Sequence, residues 1–510
     1  MIALGDSELS PKKIEEIVFA SVGVEICEIA RERAAKGYQL LKNASFSHEP
    51  IYGINTGFGA LAEIRIDQAD QERLQQNIIL SHAVGLGDPL DFYTAKTLML
   101  LRLNTLIQGY SGASLALIGQ LERLINANCA PYIPKKGSVG ASGDLAPLAH
   151  LGLLCLGLGP AFVDQQLTSA DLALRHAQVE PLRLGLRDGL ALINGTQAMA
   201  AIAAISLRNC VYLSHLADLI ASMTLQALGG HVAPYDARIH ALKPHPGQIN
   251  TADHMRRFLE GFEDEASIKS QLTQDPYSLR CIPQVHGATK DVISHVQELV
   301  FREINSVTDN PLIFFAEDFS DFAILSGGNF HGQHLSLALD YLAMAMAELA
   351  SIAERRIELL VNAKHSNGLP PFLIEGSGLN SGYMILHVTA AALVGENKIL
   401  CHPASVDSIP TSASREDHVS MGMNAANKLV DVITNTTSVL AIELMASCQA
   451  LDLREKKYVS ESASRVHKLV REVVPYRKQD GLFHNDLMQT ISLLKTEKMK
   501  QFTLCEFPCV

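Results

Sequence analysis

Long segments rich in alanine and leucine are the feature that most restricts how this chain can fold. They span residues 188–228, 288–306, 332–362, 380–400 and 420–452. Within the last segment an apolar stripe recurs at helical spacing, formed by Leu429, Ile433, Thr436, Leu440 and Leu444. Helices of this length bury such stripes by packing side by side. The sequence therefore predicts a mainly α protein built as a bundle of long helices.

Two stretches without acidic or basic residues are long enough to cross a membrane, Leu145–Val163 and Gly189–Leu207. The first contains Pro147 and His150, and the second contains Asn194. A lipid bilayer does not accommodate these residues easily. Helices that are apolar on all sides also occur inside large helical proteins. We therefore expect both stretches to form buried core helices and expect no membrane role.

The composition favours a protein whose surface is partly covered by other subunits. Charged residues make up 19% of the 510 residues, against about 25% in a typical soluble domain. The net charge of −12 gives no general attraction to nucleic acids or anionic lipids. The cysteines are scattered without a C-x-x-C pair, and only Cys505 and Cys509 lie close together. With an N-terminus that lacks the apolar run of a signal peptide, they predict a reduced, cytoplasmic protein.

The segments between the predicted helices are unusually long and rich in glycine and proline. They are Ile51–Ala62, Ala130–Pro147, Leu228–Asn250, Leu369–Gly382 and His402–Ser414. Long loops in a compact helical protein are usually functional. We expect a loop-rich N-terminal part, residues 1–200, followed by a long-helix bundle, residues 201–510. Strands are expected to be few, such as a hairpin of Pro311–Phe315 with Phe322–Leu325.

Several common cofactor motifs are missing from the sequence. The glycines of Gly53–Gly59 lack the G-x-G-x-x-G spacing of dinucleotide-binding proteins, and no P-loop motif is present. His331 and His334 could bind a metal in principle, but no ligand framework accompanies them. We therefore expect no metal and no external cofactor.

Ser142 is the strongest candidate for a reactive residue. It does not fit a nucleophile elbow, because Asp144 occupies the position that requires glycine. A simple structural interpretation is a tight loop in which Asp144 caps the following helix. A chemical interpretation is that the Gly143 nitrogen attacks the Ala141 carbonyl in a sharply bent loop, because glycine leaves room for the attack. Loss of two waters, the second from Ser142, would then leave a 4-methylideneimidazol-5-one, which is an electrophile.

The stretch Gly137–His150 closely resembles the signature of the aromatic amino acid ammonia-lyases, the histidine/phenylalanine ammonia-lyase family. Six further motifs match the family in order along nearly the whole chain: Tyr52–Gly59, Leu80–Gly85, Leu192–Gln197, Gln274–Arg280, Ser326–His331 and Glu416–Met421. The resemblance implies an ammonia-lyase-like helical fold and an electrophile formed from Ala141, Ser142 and Gly143. It also implies a homotetramer whose active sites combine residues from several subunits.

The resemblance further implies roles for individual residues. Tyr52 would remove the β-proton, and a tyrosine with an ordinary pKa near 10 needs nearby positive charge or hydrogen-bond donors for this. Arg280 would bind the substrate carboxylate through its planar guanidinium. Asn194 and Tyr277 would orient the carboxylate and the electrophilic ring. Two further residues would complete the wall of the pocket: Gln274 and Phe330.

Two positions indicate the substrate. Ser81-His82 stands where relatives that act on histidine carry Ser-His, and Glu416 stands where those relatives carry glutamate. An imidazole ring has one donor and one acceptor nitrogen, so a histidine and a carboxylate are suitable partners for it. Both positions favour L-histidine as the substrate, with trans-urocanate and ammonia as products.

Two departures from the histidine pattern keep other substrates open. Gly332-Gln333 replaces the usual Ala-Glu after the histidine of the Ser326–His331 motif, as in some tyrosine-specific or aminomutase relatives. Ser414-Arg415 replaces the usual Asn-Gln and puts a positive charge beside Glu416 in sequence. The alternatives are a tyrosine ammonia-lyase or an aromatic 2,3-aminomutase on the same scaffold. A catalytically silent assembly protein and a serine hydrolase are less consistent with the motifs.

Overall fold

The computed structural model describes residues 1–45, 50–262, 273–316, 322–454 and 459–503. Most of these residues are helical, as the sequence predicts. The helices are α1 Pro11–Val18, α2 Glu28–Ser45, α3 Gln71–His82, α4 Phe92–Leu106, α5 Leu115–Asn126, α6 Leu145–Cys155, α7 Ala170–His176, α8 Asp188–Ile193, α9 Gln197–Leu228, α10 Ala237–Ala241, α11 Pro246–Phe258, α12 Tyr277–Arg280, α13 Ile282–Ile304, α14 Gln333–Val361, α15 Met384–Leu400, α16 Gly422–Leu453, α17 Glu461–Arg471, α18 Phe483–Leu494 and α19 Glu497–Lys500.

The described strands are short and form small separate sheets. They are β1 Ile2–Leu4, β2 Val24–Ile26, β3 Leu86–Pro89, β4 Cys129–Pro131, β5 Pro134–Lys136, β6 Pro160–Val163, β7 Gln166–Ser169, β8 Leu312–Phe315 and β9 Phe322–Leu325. Strands β1 and β2 pair in parallel, whereas β3–β5 and β4–β6–β7 are antiparallel. Strands β8 and β9 form the expected antiparallel hairpin, in which Leu312 pairs with Leu325.

The long helices α9, α14 and α16 pack against one another in the centre of the molecule. The apolar stripe predicted along α16 is buried from Leu429 to Leu444. By length and composition alone all three helices could cross a membrane, but 78%, 67% and 67% of their most apolar windows lie inside the fold. Their hydrophobic surface is therefore used mainly to build the core of the bundle.

Two predicted helices are interrupted where the sequence offers a physical reason. The expected helix over 188–228 breaks between α8 and α9, where Asn194 has an extended backbone with ψ 93°. The expected buried helix over Leu145–Val163 ends at Cys155 and is followed by strand β6. Gly157 and Gly159 both adopt φ +74° there, which ends a right-handed helix. The first break places Asn194 at the candidate site.

The boundary near residue 200 stays a prediction. Residue 200 lies in the first turn of α9, and one hydrophobic core includes buried residues from both sides of it. The N-terminal part does carry most of the small sheets, whereas the long helices α13, α14 and α16 follow it.

Candidate active site

A cavity of about 660 Å³ brings together five of the residues predicted for the site. Tyr52 reaches it from the loop before α3, and His82 from the last residue of α3. Ser142 enters from the loop before α6, Asn194 from the break between α8 and α9, and Glu416 from the loop before α16. Apolar residues of the Tyr52 loop, α3, α6 and α8 form much of the remaining wall, and Asn77, Ser81 and Ser412 add polar groups to it. The cavity thus combines three serine hydroxyls, two amides and three titratable side chains.

The Ala141-Ser142-Gly143 triplet is bent sharply against the break between α8 and α9. Gly143 has φ +73°, and the amide of Asp144 donates to the carbonyl of Gly195 at 2.7 Å. A Cβ atom on Gly143 would lie 2.5 Å from the carbonyl carbon of Gly195. Only glycine fits this close approach. The triplet therefore has the bent backbone and the glycine that cyclisation requires.

The start of α16 fixes the other side of the same loop. The Ser420 hydroxyl donates to the Gly140 carbonyl at 3.0 Å, and the Met421 amide donates to the Val139 carbonyl at 2.8 Å. Gly140 has φ +67°, and a Cβ atom there would collide with the Ser420 hydroxyl. The loop is thus clamped on both sides of the triplet by backbone contacts that leave no space for larger residues.

Asp144 occupies the cap position of α6, but its carboxylate does not bond to that helix. It accepts instead from the Met199 amide in the first turn of α9, at 2.9 Å. Burial raises the pKa of Asp144 to about 7, although backbone hydrogen bonds from Ala198 and Met199 oppose the rise. The simple capping interpretation is therefore wrong about the helix that the carboxylate contacts. Asp144 precedes α6, but its carboxylate bonds to the first turn of α9.

Met199 also explains the first departure from the histidine pattern. Its side chain lies against Gly332 and Gly422, at the starts of α14 and α16, and a Cβ atom on Gly332 would be 2.9 Å from the Met199 sulfur. The neighbouring Gln333 donates from Nε2 to the Ser405 carbonyl at 3.0 Å. Neither Gly332 nor Gln333 lines the described cavity. In this chain Gly332 leaves room for Met199, and Gln333 holds the loop that carries Ser405.

A cluster of buried ionic side chains holds the end of α8, just before the helix break at Asn194. Arg102 donates from Nε to the Ala191 carbonyl at 2.7 Å, and both Arg102 and Arg187 pair with Asp309, at 3.3 and 3.0 Å. All three ionic side chains are fully buried, and burial lowers the pKa of Arg102 to about 10. The sequence analysis missed this cluster because its members are far apart along the chain.

The amide of Asn194 faces the triplet. Its Nδ2 donates to the Ser142 carbonyl at 3.4 Å, whereas its buried Oδ1 has no hydrogen-bond partner among the described residues. A buried amide oxygen without a partner costs free energy unless a ligand or water satisfies it. Asn194 is therefore placed both to hold the triplet and to accept a hydrogen bond from a bound molecule.

Both carboxylate oxygens of Glu416 are engaged. Ser142 donates from Oγ to Oε1 at 2.7 Å, and Thr411 donates from Oγ1 to Oε2 at 2.6 Å. Arg415, the second departure from the histidine pattern, points away and pairs with the exposed Glu63 at 3.5 Å. The sequence analysis missed Thr411, although it lies only five residues before Glu416.

His82 and Tyr52 complete the polar part of the cavity. The Ser81 hydroxyl lies 2.9 Å from Nδ1 of His82, and burial lowers the pKa of His82 although Glu416 opposes the shift. The Gly59 amide donates to the Tyr52 hydroxyl at 3.0 Å. No lysine or arginine is among the described residues that line the cavity. Within one chain, Tyr52 therefore has a backbone donor but no neighbouring cation.

The remaining predicted site residues lie elsewhere in the described chain. Tyr277 is 70% exposed at the start of α12, and the Arg280 guanidinium stacks on its ring at 4.5 Å. Nε of Arg280 is buried without a hydrogen-bond partner among the described residues. Gln274 is exposed just before them, and Phe330 lies in the turn before α14. One chain therefore presents two incomplete groups of predicted site residues.

The His331 and His334 pair gives no metal site in the described part of the chain, where no cluster of three metal-binding side chains occurs. The rings of His331 and His418 stack with centroids 6.0 Å apart, and His331 Nε2 lies 3.2 Å from the His418 carbonyl. Cys505 and Cys509 lie outside the described residues. The described chemistry of the site therefore comes from hydroxyl, amide, imidazole and carboxylate groups.

Comparison with known proteins identifies the class of this scaffold. The sequence profile of the aromatic amino acid lyases matches residues 9–472. Histidine ammonia-lyase from Anaeromyxobacter sp. (strain K) is 47% identical over 504 residues, which cover 97% of this chain and 98% of that protein.

Solved structures agree with this match. The histidine ammonia-lyase from Trypanosoma cruzi superposes with a TM-score of 0.88 at 38% identity, over 98% of this chain and 94% of that one. A tyrosine aminomutase from Streptomyces globisporus superposes with a TM-score of 0.91 at 30% identity, over 98% and 97% of the two chains. Fold and sequence thus define a carbon–nitrogen lyase. The chain belongs to the aromatic amino acid lyase family, which confirms the resemblance and the ammonia-lyase-like fold.

Proposed function

We propose that this protein eliminates ammonia from L-histidine to give trans-urocanate. The observation that carries the proposal is that His82 and Glu416 line the same cavity as Ser142, where they can bond the two nitrogens of an imidazole ring. The name of the Anaeromyxobacter relative, which is similar over nearly its full length, supports the same substrate.

The proposed electrophile is a 4-methylideneimidazol-5-one formed from Ala141, Ser142 and Gly143, with no external cofactor. Such a group supplies an electron-poor centre that takes up the substrate amine and makes nitrogen a better leaving group. The close approach of Gly143 to Gly195 supports its formation, because the triplet is already bent and held on both sides.

The chain's own residues position the substrate and move its proton. Tyr52 removes the β-proton, and the Gly59 amide orients its hydroxyl by donating to it at 3.0 Å. Asn194 accepts a hydrogen bond at its free Oδ1, and His82 and Glu416 hold the ring. Removing either ring partner would leave a polar group of the substrate ring unpaired.

The proposed assembly is a cytoplasmic homotetramer in which Tyr277, Arg280, Gln274 and Phe330 complete the cavity of a neighbouring subunit. The exposed Tyr277 and the unpartnered Nε of Arg280 support a site that one chain leaves unfinished. An apolar stripe on α14 is also left exposed, with Leu337 at 52%, Tyr341 at 46% and Met344 at 43%. No disulfide joins the seven cysteines of the described ranges, in keeping with a reducing compartment.

The test is incubation of the purified protein with L-histidine, L-tyrosine and L-phenylalanine in parallel. The expected result is near-ultraviolet absorbance of urocanate from L-histidine, with equimolar ammonia. The structural similarity to a tyrosine aminomutase makes a β-amino acid product from L-tyrosine the main alternative, and chromatography detects it directly. Preference for L-tyrosine would contradict the assignment of His82 and Glu416.

A further inference from the structure

A tight turn, Thr411–Glu416, holds the Glu416 carboxylate from behind. The backbones of Thr411 and Glu416 exchange hydrogen bonds of 3.0 and 3.3 Å, which close the turn like the end of a hairpin. The Thr411 hydroxyl then donates across the turn to Oε2 of Glu416 at 2.6 Å. Oε1 is left to face Ser142 at 2.7 Å.

The backbone of this turn is strained at three consecutive residues. Ser412, Ala413 and Ser414 have φ of +50°, +53° and +65°, in the left-handed region that residues with a side chain disfavour. Such strain persists only where the surroundings impose it, and it concentrates at functional sites. Here the closing bonds between Thr411 and Glu416 impose it.

A second contact fixes the turn to the loop that carries Tyr52. Gly59 packs so closely on the turn that a Cβ atom there would be 2.5 Å from the Ser412 hydroxyl, and Arg415 pairs with Glu63 at 3.5 Å. Tyr52 in turn accepts from the Gly59 amide. The turn and the Tyr52 loop therefore form one wall of the cavity.

We propose that Thr411 is a positioning residue for the reaction, acting through Glu416. Its hydroxyl fixes one carboxylate oxygen so that the other points at the reacting end of the cavity. Oε1 of Glu416 is thereby left as a hydrogen-bond acceptor that faces Ser142. This inference rests on the proposed ammonia-lyase function and adds a residue outside the recognised motifs.

Removal of the Thr411 hydroxyl tests its role without altering the charged and titratable groups near Glu416. His82 and Tyr52 face the same cavity, and the pKa of His82 responds to Glu416. Arg415 is held by Glu63 rather than by Glu416. The hydroxyl of Thr411 can therefore be removed without changing any charge in the cavity.

The test compares Thr411→Val, which removes only the hydroxyl, with Thr411→Ser, which keeps it. Thr97→Val is the matched control, because its hydroxyl donates to the Tyr93 carbonyl at 2.8 Å, inside α4 and away from the cavity. We expect Thr411→Val to lower kcat/KM by about ten- to a hundredfold, as loss of a hydrogen bond to a charged group does. We also expect Thr411→Ser to restore kcat/KM, because it keeps the hydroxyl that donates to Oε2 of Glu416.

The variants must first be shown to fold and assemble. Intact mass and sedimentation first establish that the variants are assembled like the unmodified protein, and Thr411→Ala replaces Thr411→Val if the latter does not fold. Unchanged kcat/KM, or a fall that Thr411→Ser does not restore, would overturn the proposal. If the unmodified protein releases ammonia from none of the three aromatic amino acids, the proposed function fails instead.

Discussion

Replacing Gly143 by alanine is expected to prevent cyclisation of the triplet. The added Cβ would lie 2.5 Å from the Gly195 carbonyl carbon, whereas real Cβ contacts essentially never fall below 3.0 Å. The two backbone segments must therefore separate, which breaks the 2.7 Å hydrogen bond from the Asp144 amide to the Gly195 carbonyl. The bent geometry that brings the ring-closing atoms together is lost with it.

The magnitude follows from two terms. A buried backbone pair left unsatisfied costs about 1–3 kcal/mol, and a left-handed alanine costs about 1–2 kcal/mol more than glycine. Together they amount to about 2–5 kcal/mol against the present geometry of Gly143. At about 1.4 kcal/mol per factor of ten, ring closure should slow by about thirty- to several-thousand-fold.

Intact mass spectrometry measures the result directly. The unmodified protein should be lighter than its sequence by two waters, whereas Gly143→Ala should keep its full mass. The reference variant Ser142→Ala lacks the hydroxyl that supplies the second water, so it should lose one water at most. Gly261→Ala is the control for strain alone, because Gly261 has φ +79° and the described residues place no atom within 4 Å of the added Cβ. The Gly261→Ala protein should be less stable than the unmodified protein, but its triplet should cyclise fully. A Gly143→Ala protein that loses both waters and remains active would refute the steric argument.

Three further predictions concern assembly, selectivity and pH. Mixed Tyr52→Phe and Arg280→Ala subunits, each inactive alone, should regain part of the activity if sites are shared; inactive hybrids would contradict this. His82→Leu and Glu416→Gln should each lower kcat/KM for L-histidine by about ten- to a hundredfold, while any turnover of L-tyrosine, measured in parallel, falls less. Because the pKa of Asp144 is raised to about 7 from 3.8, the folded state binds this proton more tightly than the unfolded state. The free energy of unfolding should therefore fall by up to about 4 kcal/mol as pH rises from about 4 to about 7, and denaturant titrations of Asp144→Asn should lack this part of the slope.

The fold and half of the candidate site could be predicted from the sequence because their signals are local. The stripe along α16 and the strand pair β8–β9 are patterns within short windows, and the structure places both as expected. Tyr52 and Ser142 each belong to a contiguous motif, and they do line one cavity.

What the sequence did not reveal depends on distant partners. The partner of the Asp144 carboxylate lies in α9 rather than in α6, because the bent loop turns the side chain across the bundle. The pairing of Asp309 with two arginines joins residues more than a hundred positions apart. Thr411 escaped notice because a threonine beside a turn is ordinary until its hydroxyl is seen on Glu416.

The Met199 side chain packs between Gly332 and Gly422, and this packing limits how such an enzyme can change over evolutionary time. The triplet loop is tied to the starts of α9 and α16, and Met199 joins these to the start of α14, so a substitution at any of these positions disturbs the whole bundle. Leu61, Ile64 and Asn77 also line the cavity, but their side chains are exposed and take no part in these contacts between helix starts. Substitutions at such positions can therefore reshape the side-chain pocket while the triplet loop stays fixed, so new substrates are expected to arise by changes there.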